Sequence, residues 1–116
     1  MTYSFVIPGK PIVQQRPRKS KQGHFYDPSA KEKKELGRQL WLARSENGKG
    51  VLTGDLKLYV SFYGCGGKCD LDNLIKAFSD AANGILWEDD RQIVRIYAQM
   101  VRKDPQPRTH AIVRLA

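Results

Sequence analysis

Apolar and polar residues alternate strictly over Leu56–Tyr63, LKLYVSFY, and a two-residue period predicts a strand with one buried face. Tyr3 to Ile7, YSFVI, alternates well enough for a second strand and stops at Pro8-Gly9. Between them, Leu36, Leu40 and Ala43 form the apolar stripe of a helix. Pro28-Ser29 opens that helix, Glu32 stands in capping-box register with Ser29, and Asn47-Gly48 closes it. The clearest period comes later. Leu74, Ala77, Phe78, Ala81, Ala82 and Ile85 follow the spacing of one buried helical face, with Asp72, Lys76 and Asp80 opposite and Gly84 at the C-terminal cap. Ile93 to Val101 and His110 to Leu115 read as two closing strands around the turn KDPQPR. The order strand, helix, strand, helix, strand, strand predicts an α+β sheet with helices packed on it, and 116 residues give one domain, 1–116, with a single modest core.

Charge narrows the class of partner. A net charge of +8 and a pI near 9.7 call for a polyanion, nucleic acid ahead of an anionic membrane. No apolar run approaches the roughly 20 residues of a membrane span, and the N-terminus lacks a signal-peptide apolar region, so a cytoplasmic, DNA-associated setting is expected. Gln14 to Gly23, QQRPRKSKQG, is a cationic loop whose Arg16, Arg18, Lys19 and Lys21 are candidates for DNA-backbone contact, against the alternative of solvated surface. Cys65 and Cys69 lie too far from His24 and His110 in sequence to suggest a zinc site. Two reduced thiols are expected, with a disulfide or a zinc shared across a dimer as alternatives.

The negative charge is concentrated. Cys69 to Asp90, CDLDNLIKAFSDAANGILWEDD, holds six of the twelve acidic residues and only Lys76 to answer them. Outside it the chain carries nineteen Lys and Arg against six Asp and Glu. Asp70 and Asp72 would leave one face of an extended segment about 7 Å apart, and Asp72 also suits the N-cap of the following helix. An antiparallel return of the chain would bring Asp90 beside them. Carboxylates gathered in this way repel unless a cation compensates. An all-oxygen set favours Mg²⁺ or Mn²⁺ over zinc, and such a metal serves hydrolysis of a phosphodiester. The competing reading makes Asp72 a helix cap, Asp80 a partner of Lys76, and Glu88-Asp89-Asp90 a solvated turn.

The segment DLDNLIKAFSDAANGILWEDDRQIV, with the earlier IPGKPIVQQRPR and GHFYDP, resembles the RusA-type Holliday junction resolvases of bacteria and their prophages. The resemblance implies a small single-domain mixed β-sheet with two main helices. It also implies a homodimeric, Mg²⁺-dependent endonuclease that nicks opposed strands of a four-way DNA junction symmetrically, in recombination and repair. By position the family's catalytic carboxylates fall on Asp70, Asp72 and Asp90, also the metal ligands, and its catalytic lysine on Lys76. Asp89 is a candidate for a hydrogen-bonding role outside the ligand set. Cys69 stands where some members carry a basic residue before the first Asp, a place that Lys68 is positioned to fill as a DNA contact.

The loop GCGGKC lacks the Ser or Thr and the glycine spacing of a nucleotide-phosphate loop, so no nucleotide cofactor is expected. Phe25 or Tyr26 is expected in core or helix-entry packing, with stacking on an unpaired base as the alternative. Trp87 is expected as a core anchor. Two other functions fit the composition: a basic DNA-binding or regulatory module that does not cut, and a broader nuclease for flaps and forks.

Overall fold

A computed structural model of the chain describes residues 2–48 and 50–116. Strands β1 (Thr2–Pro8), β4 (Leu56–Tyr63), β5 (Ile93–Val101) and β6 (Arg108–Leu115) make a four-stranded sheet in the order β1-β6-β4-β5. Strands β2 (Arg18–Lys19) and β3 (Phe25–Tyr26) form a separate two-residue hairpin, so the predicted cationic loop is half of a ribbon. Helices α1 (Ala30–Glu46) and α2 (Leu71–Ala82) cover one face of the sheet. The fold is therefore α+β, as the periodicities predict.

Strand alternation decides which face is covered. Leu56, Leu58, Val60 and Phe62 are buried along β4, and Tyr3, Phe5, Ala111 and Val113 join them from β1 and β6. Leu36 and Leu40 of α1 and Leu74 and Phe78 of α2 close the core from above. Trp87 is fully buried, and its indole N–H donates to Asn83 Oδ1 at 2.8 Å, which removes the cost of burying that polar group. It is the anchor that the sequence suggested.

β6 is antiparallel to both neighbours, whereas β4 and β5 are parallel, with Leu56 opposite Ile93 and Tyr63 opposite Val101. Parallel neighbours need a crossover, and α2 supplies it. The helix starts at the Tyr63 end of the sheet and runs back to the Leu56 end, where Leu52 bridges to Trp87. This path places the two ends of the acidic segment.

The predicted capping box at α1 is absent. Ser29 is buried in a helical conformation, and its hydroxyl accepts from Gln15 N–H at 2.8 Å and donates to Val13 carbonyl at 3.4 Å. A buried hydroxyl bonds where partners lie, and here they lie on the 13–15 segment. Asp27 Oδ1 accepts from Ser29 N–H at 2.8 Å instead. Phe25 and Tyr26 are exposed, at 75% and 49%, which corrects the expectation of packing, because their hairpin stands off the core.

Cys65 and Cys69 form a disulfide, which corrects the expectation of free thiols. Gly64 and Gly66, at φ 76° and 94°, turn the loop back so that the two Cα atoms lie 6.3 Å apart. A Cβ at Gly64 would also meet Pro107 at 3.0 Å, so glycine is required there twice over. Among the described residues no helix is long and apolar enough to cross a membrane.

Candidate active site and nucleic-acid interface

Asp70 is extended (φ −104°, ψ 139°) and is the N-cap residue of α2, with no side-chain capping bond. Asp72 therefore lies inside the first turn, not at the cap, and its Oδ1 accepts from Asn73 N–H at 3.0 Å. The two carboxylates leave a helix start rather than an extended strand, where the unpaired N–H groups and the helix dipole favour negative charge. Lys76 lies one turn further along, four residues from Asp72. All three side chains are exposed.

The acids divide into engaged and open groups. Asp80 pairs with Lys33 at 3.4 Å and Lys76 at 3.7 Å. Asp27 pairs with Lys33, Asp104 with Arg108 and Glu35 with Arg38. Asp70, Asp72 and Asp90 make no ion pair among the described residues. The carboxylates singled out from the sequence share this with others, such as Asp55 and Glu88, among the described residues.

Asp90 does not join the first pair within one chain. It begins a short 3-10 turn, Asp90–Gln92, that leads into β5 at the Leu56 end of the sheet. Asp70 follows Cys69, whose carbonyl accepts from Arg102 Nη1 at 2.9 Å beyond the other end of β5. The helix between them spans about 18 Å and the strand about 26 Å, so the two acids are roughly 20 Å apart. Among the described residues no group of three or more His, Cys, Asp and Glu side chains converges to hold a metal ion. The expected antiparallel return is corrected: the chain returns by a parallel crossover, which carries Asp90 to the far end.

Asp89, beside it, is tied into local structure. Its Oδ1 accepts from Arg91 N–H at 2.9 Å, and Gln92 Oε1 accepts in return from Asp89 N–H at 3.1 Å, a capping box for the 3-10 turn. The Arg91 backbone bond, helped by the nearby guanidinium, holds the Asp89 carboxyl below the usual range. A structural role fits it better than a ligand's.

The cationic residues gather at the other end. Arg16, Arg18, Lys19 and Lys21 are all exposed on the β2–β3 hairpin, with the Lys19 ammonium 5.9 Å from the centre of the Phe25 ring. Gln14 N–H donates to Asn73 carbonyl at 3.0 Å, rooting the hairpin beside the first turn of α2. Lys68 is exposed two residues before Asp70. Exposed positive charge and the carboxylates of Asp70 and Asp72 thus share one end of the molecule.

Two positioning residues were not singled out from the sequence. Gln14 holds the hairpin root through its backbone, and its side chain joins Lys33 and Asp27. Arg102 donates to the carbonyls of Gly67 and Cys69 and so fixes the approach to Asp70. The only signal for Arg102 was a cation directly after a strand, and for Gln14 there was none.

No curated protein matches the chain. The model of one family, Endodeoxyribonuclease RusA, matches residues 8–114. That span takes in the hairpin, both helices, Asp70, Asp72 and Asp90, and the sheet strands β4, β5 and nearly all of β6, while β1 lies before it but for Pro8. The chain belongs to the RusA endodeoxyribonuclease family.

Proposed function

We propose that the chain is a Mg²⁺-dependent, homodimeric endodeoxyribonuclease that resolves four-way DNA junctions by paired symmetric nicks, as a cytoplasmic enzyme of recombination and repair. One observation carries the reading: open Asp70 and Asp72 stand beside a cationic hairpin rooted on the same helical turn. Repulsion between acids and phosphates is tolerable there only if a cation intervenes and the flanking positive charge holds the backbone.

The donor set fits Mg²⁺ by its chemistry. Mg²⁺ is commonly held through one or two carboxylates, with waters and substrate phosphate completing its shell. Asp70 and Asp72 would provide those from one chain, with Mn²⁺ as a substitute. When bound, the ion would supply charge neutralisation for phosphodiester hydrolysis. Lys76, one turn along, would place an ammonium against the charge that grows on the reacting phosphate. Arg16, Arg18, Lys19, Lys21 and Lys68 would hold the DNA arms.

The distance to Asp90 is what a dimer would answer. β5 is an edge strand of nine residues, paired with β4 on one side only, with Val94 and Ile96 at 51% and 43% exposure. Such an edge is a template for a second strand. If β5 paired antiparallel with its counterpart across a two-fold axis, the partner subunit's Asp90 would arrive at the Val101 end, beside Asp70 and Asp72. Each of two sites would then draw on both subunits, which suits two opposed cuts.

The test is incubation of purified protein with a synthetic four-way junction and a linear duplex, with Mg²⁺ or with EDTA. Symmetric nicks in opposed strands of the junction, lost in EDTA, are expected. Binding without cutting in Mg²⁺ or Mn²⁺ would leave a basic DNA-binding module, and equal cutting of flaps and forks would leave a broader nuclease.

A further inference from the structure

The sheet face away from the helices has no cover among the described residues. Strand alternation puts Lys57, Tyr59, Ser61 and Tyr63 of β4 on it, and Arg95, Tyr97 and Gln99 of β5. From β6 it receives Arg108, His110 and Arg114. No Asp or Glu alternates onto this face from any of the four strands. Arg108 is neutralised by Asp104 at 2.9 Å, while Lys57, Arg95 and Arg114 make no ion pair among the described residues.

The aromatic rings are ordered. Tyr59 and Tyr97 stack with centroids 4.8 Å apart and planes within 10° of parallel, and Arg114 lies 5.5 Å from the Tyr59 ring centre. Arg108 lies 4.0 Å from the centre of Tyr63. Tyr59, Tyr63 and Tyr97 wall a concavity of about 440 Å³, with Ser61, Gln99 and His110 also lining it. Gln99 Nε2 donates to Ser61 Oγ at 3.0 Å, which leaves the Ser61 hydroxyl hydrogen, Gln99 Oε1 and the His110 imidazole available.

We propose that this concavity is a second nucleic-acid site, which takes an unpaired base of single-stranded DNA while Lys57, Arg95 and Arg114 hold the flanking phosphates. A π-face, hydrogen-bonding edges and negative charge are what these walls, lining groups and rim complement, and a base with its phosphates presents all three. A second copy of the chain does not fit, because two such faces would set their cations against each other with no carboxylate between them. The site is separate from Asp70 and Asp72. Its choice of DNA as ligand rests on the nuclease reading.

The experiment measures binding of a labelled oligothymidylate and of an abasic strand of equal length to wild type, Tyr97→Leu, Ser61→Leu and Arg114→Gln. Wild type is expected to prefer the base-bearing strand by at least about fivefold, the lower range for one stacked base. Tyr97→Leu and Ser61→Leu should each erase that preference, and Arg114→Gln should weaken both strands alike. Melting curves and sedimentation accompany each variant, so that a misfolded one is set aside and the other pocket variant decides. Equal binding of the two strands by wild type overturns the proposal, as does a folded pocket variant that keeps the preference. Conversion of a dimer to a monomer by Ser61→Leu, on the inner strand β4 and away from the β5 edge, also overturns it, by making the face an interface between copies. Junction cleavage on the same wild-type protein separates the two readings: base preference without cutting would remove the resolvase function and leave this site standing.

Discussion

The backbone N–H of Gln14 donates to the carbonyl of Asn73 at 3.0 Å, and this bond joins the cationic hairpin to the helix turn that carries Asp72. The hairpin is only two residues long on each strand, so its direction depends on such root contacts. They also include Gln15 N–H to the Ser29 hydroxyl and the Gln14 side chain with Lys33 and Asp27. In the proposed function this placement would set the hairpin's charge against DNA bound near Asp70.

Neutralising Arg16, Arg18 and Lys19 together is expected to weaken junction binding and flatten its salt dependence. Each duplex-arm phosphate that no longer meets a cation should reduce the log–log slope by about 0.9. Anisotropy titrations across a salt series measure it, and an unchanged slope would mean that the DNA lies elsewhere.

Lys76 makes an exposed ion pair with Asp80 at 3.7 Å, while Asp80 retains Lys33 at 3.4 Å. Removing Lys76 should therefore cost only a few tenths of a kcal/mol in stability. As the proposed charge-countering donor at the reacting phosphate it would be worth about 10²–10³ in rate. Lys76→Met is expected to melt like wild type, bind junctions normally and cleave at least about a hundredfold slower in single-turnover assays. Lys76→Arg should recover only part of the rate. A variant that melts early yet cuts at the normal rate would leave Lys76 as a surface partner alone.

The Lys33 ammonium and the Ser29 N–H hold the Asp27 carboxyl below its usual range. Burial pulls the Lys33 ammonium down, but Asp27 and Asp80 more than offset it and leave its pKa raised. A depressed folded-state carboxyl stabilises the fold above its unfolded pKa, near 4, and that contribution disappears as pH falls through the folded value. Asp27→Asn is expected to lower stability at pH 7 by about 1 kcal/mol, the partial exposure of the pair keeping the loss small. The gap should close in acid below about pH 4. Thermal melts of both proteins across that range test the sign. A gap that widens in acid would contradict it.

Local periodicity made most of the fold legible. The alternation of β4 and the apolar face of α2 are set by neighbours in sequence; β4 appears where its pattern predicts, and α2 does so as far as Ala82, leaving Ile85 in the turn beyond it. Sheet order is not local. The parallel pairing of Leu56 with Ile93 is decided by packing across the whole sheet, and it alone sends Asp90 to the far end from Asp70. The direction of the Ser29 hydroxyl likewise depends on Val13 and Gln15, which a capping pattern does not contain. The aromatic groove was visible in part, since Tyr59 and Tyr63 stand on the polar phase of β4, but its third wall, Tyr97, arrives through that same long-range pairing.

Sites shared between subunits make a demand that few alternatives share. Asp70→Asn and Asp90→Asn homodimers should each bind a junction and fail to cut it, because every site lacks one carboxylate. A mixed dimer, isolated through two different tags, would concentrate both substitutions in one site and leave the other whole. The decisive measurement is strand-resolved cleavage of a four-way junction by that mixed dimer in Mg²⁺. Nicking of one strand only, at a rate near that of a single wild-type site, is the predicted result. A mixed dimer as inert as its parents, beside an active wild type, would contradict the account and return all three carboxylates to one chain.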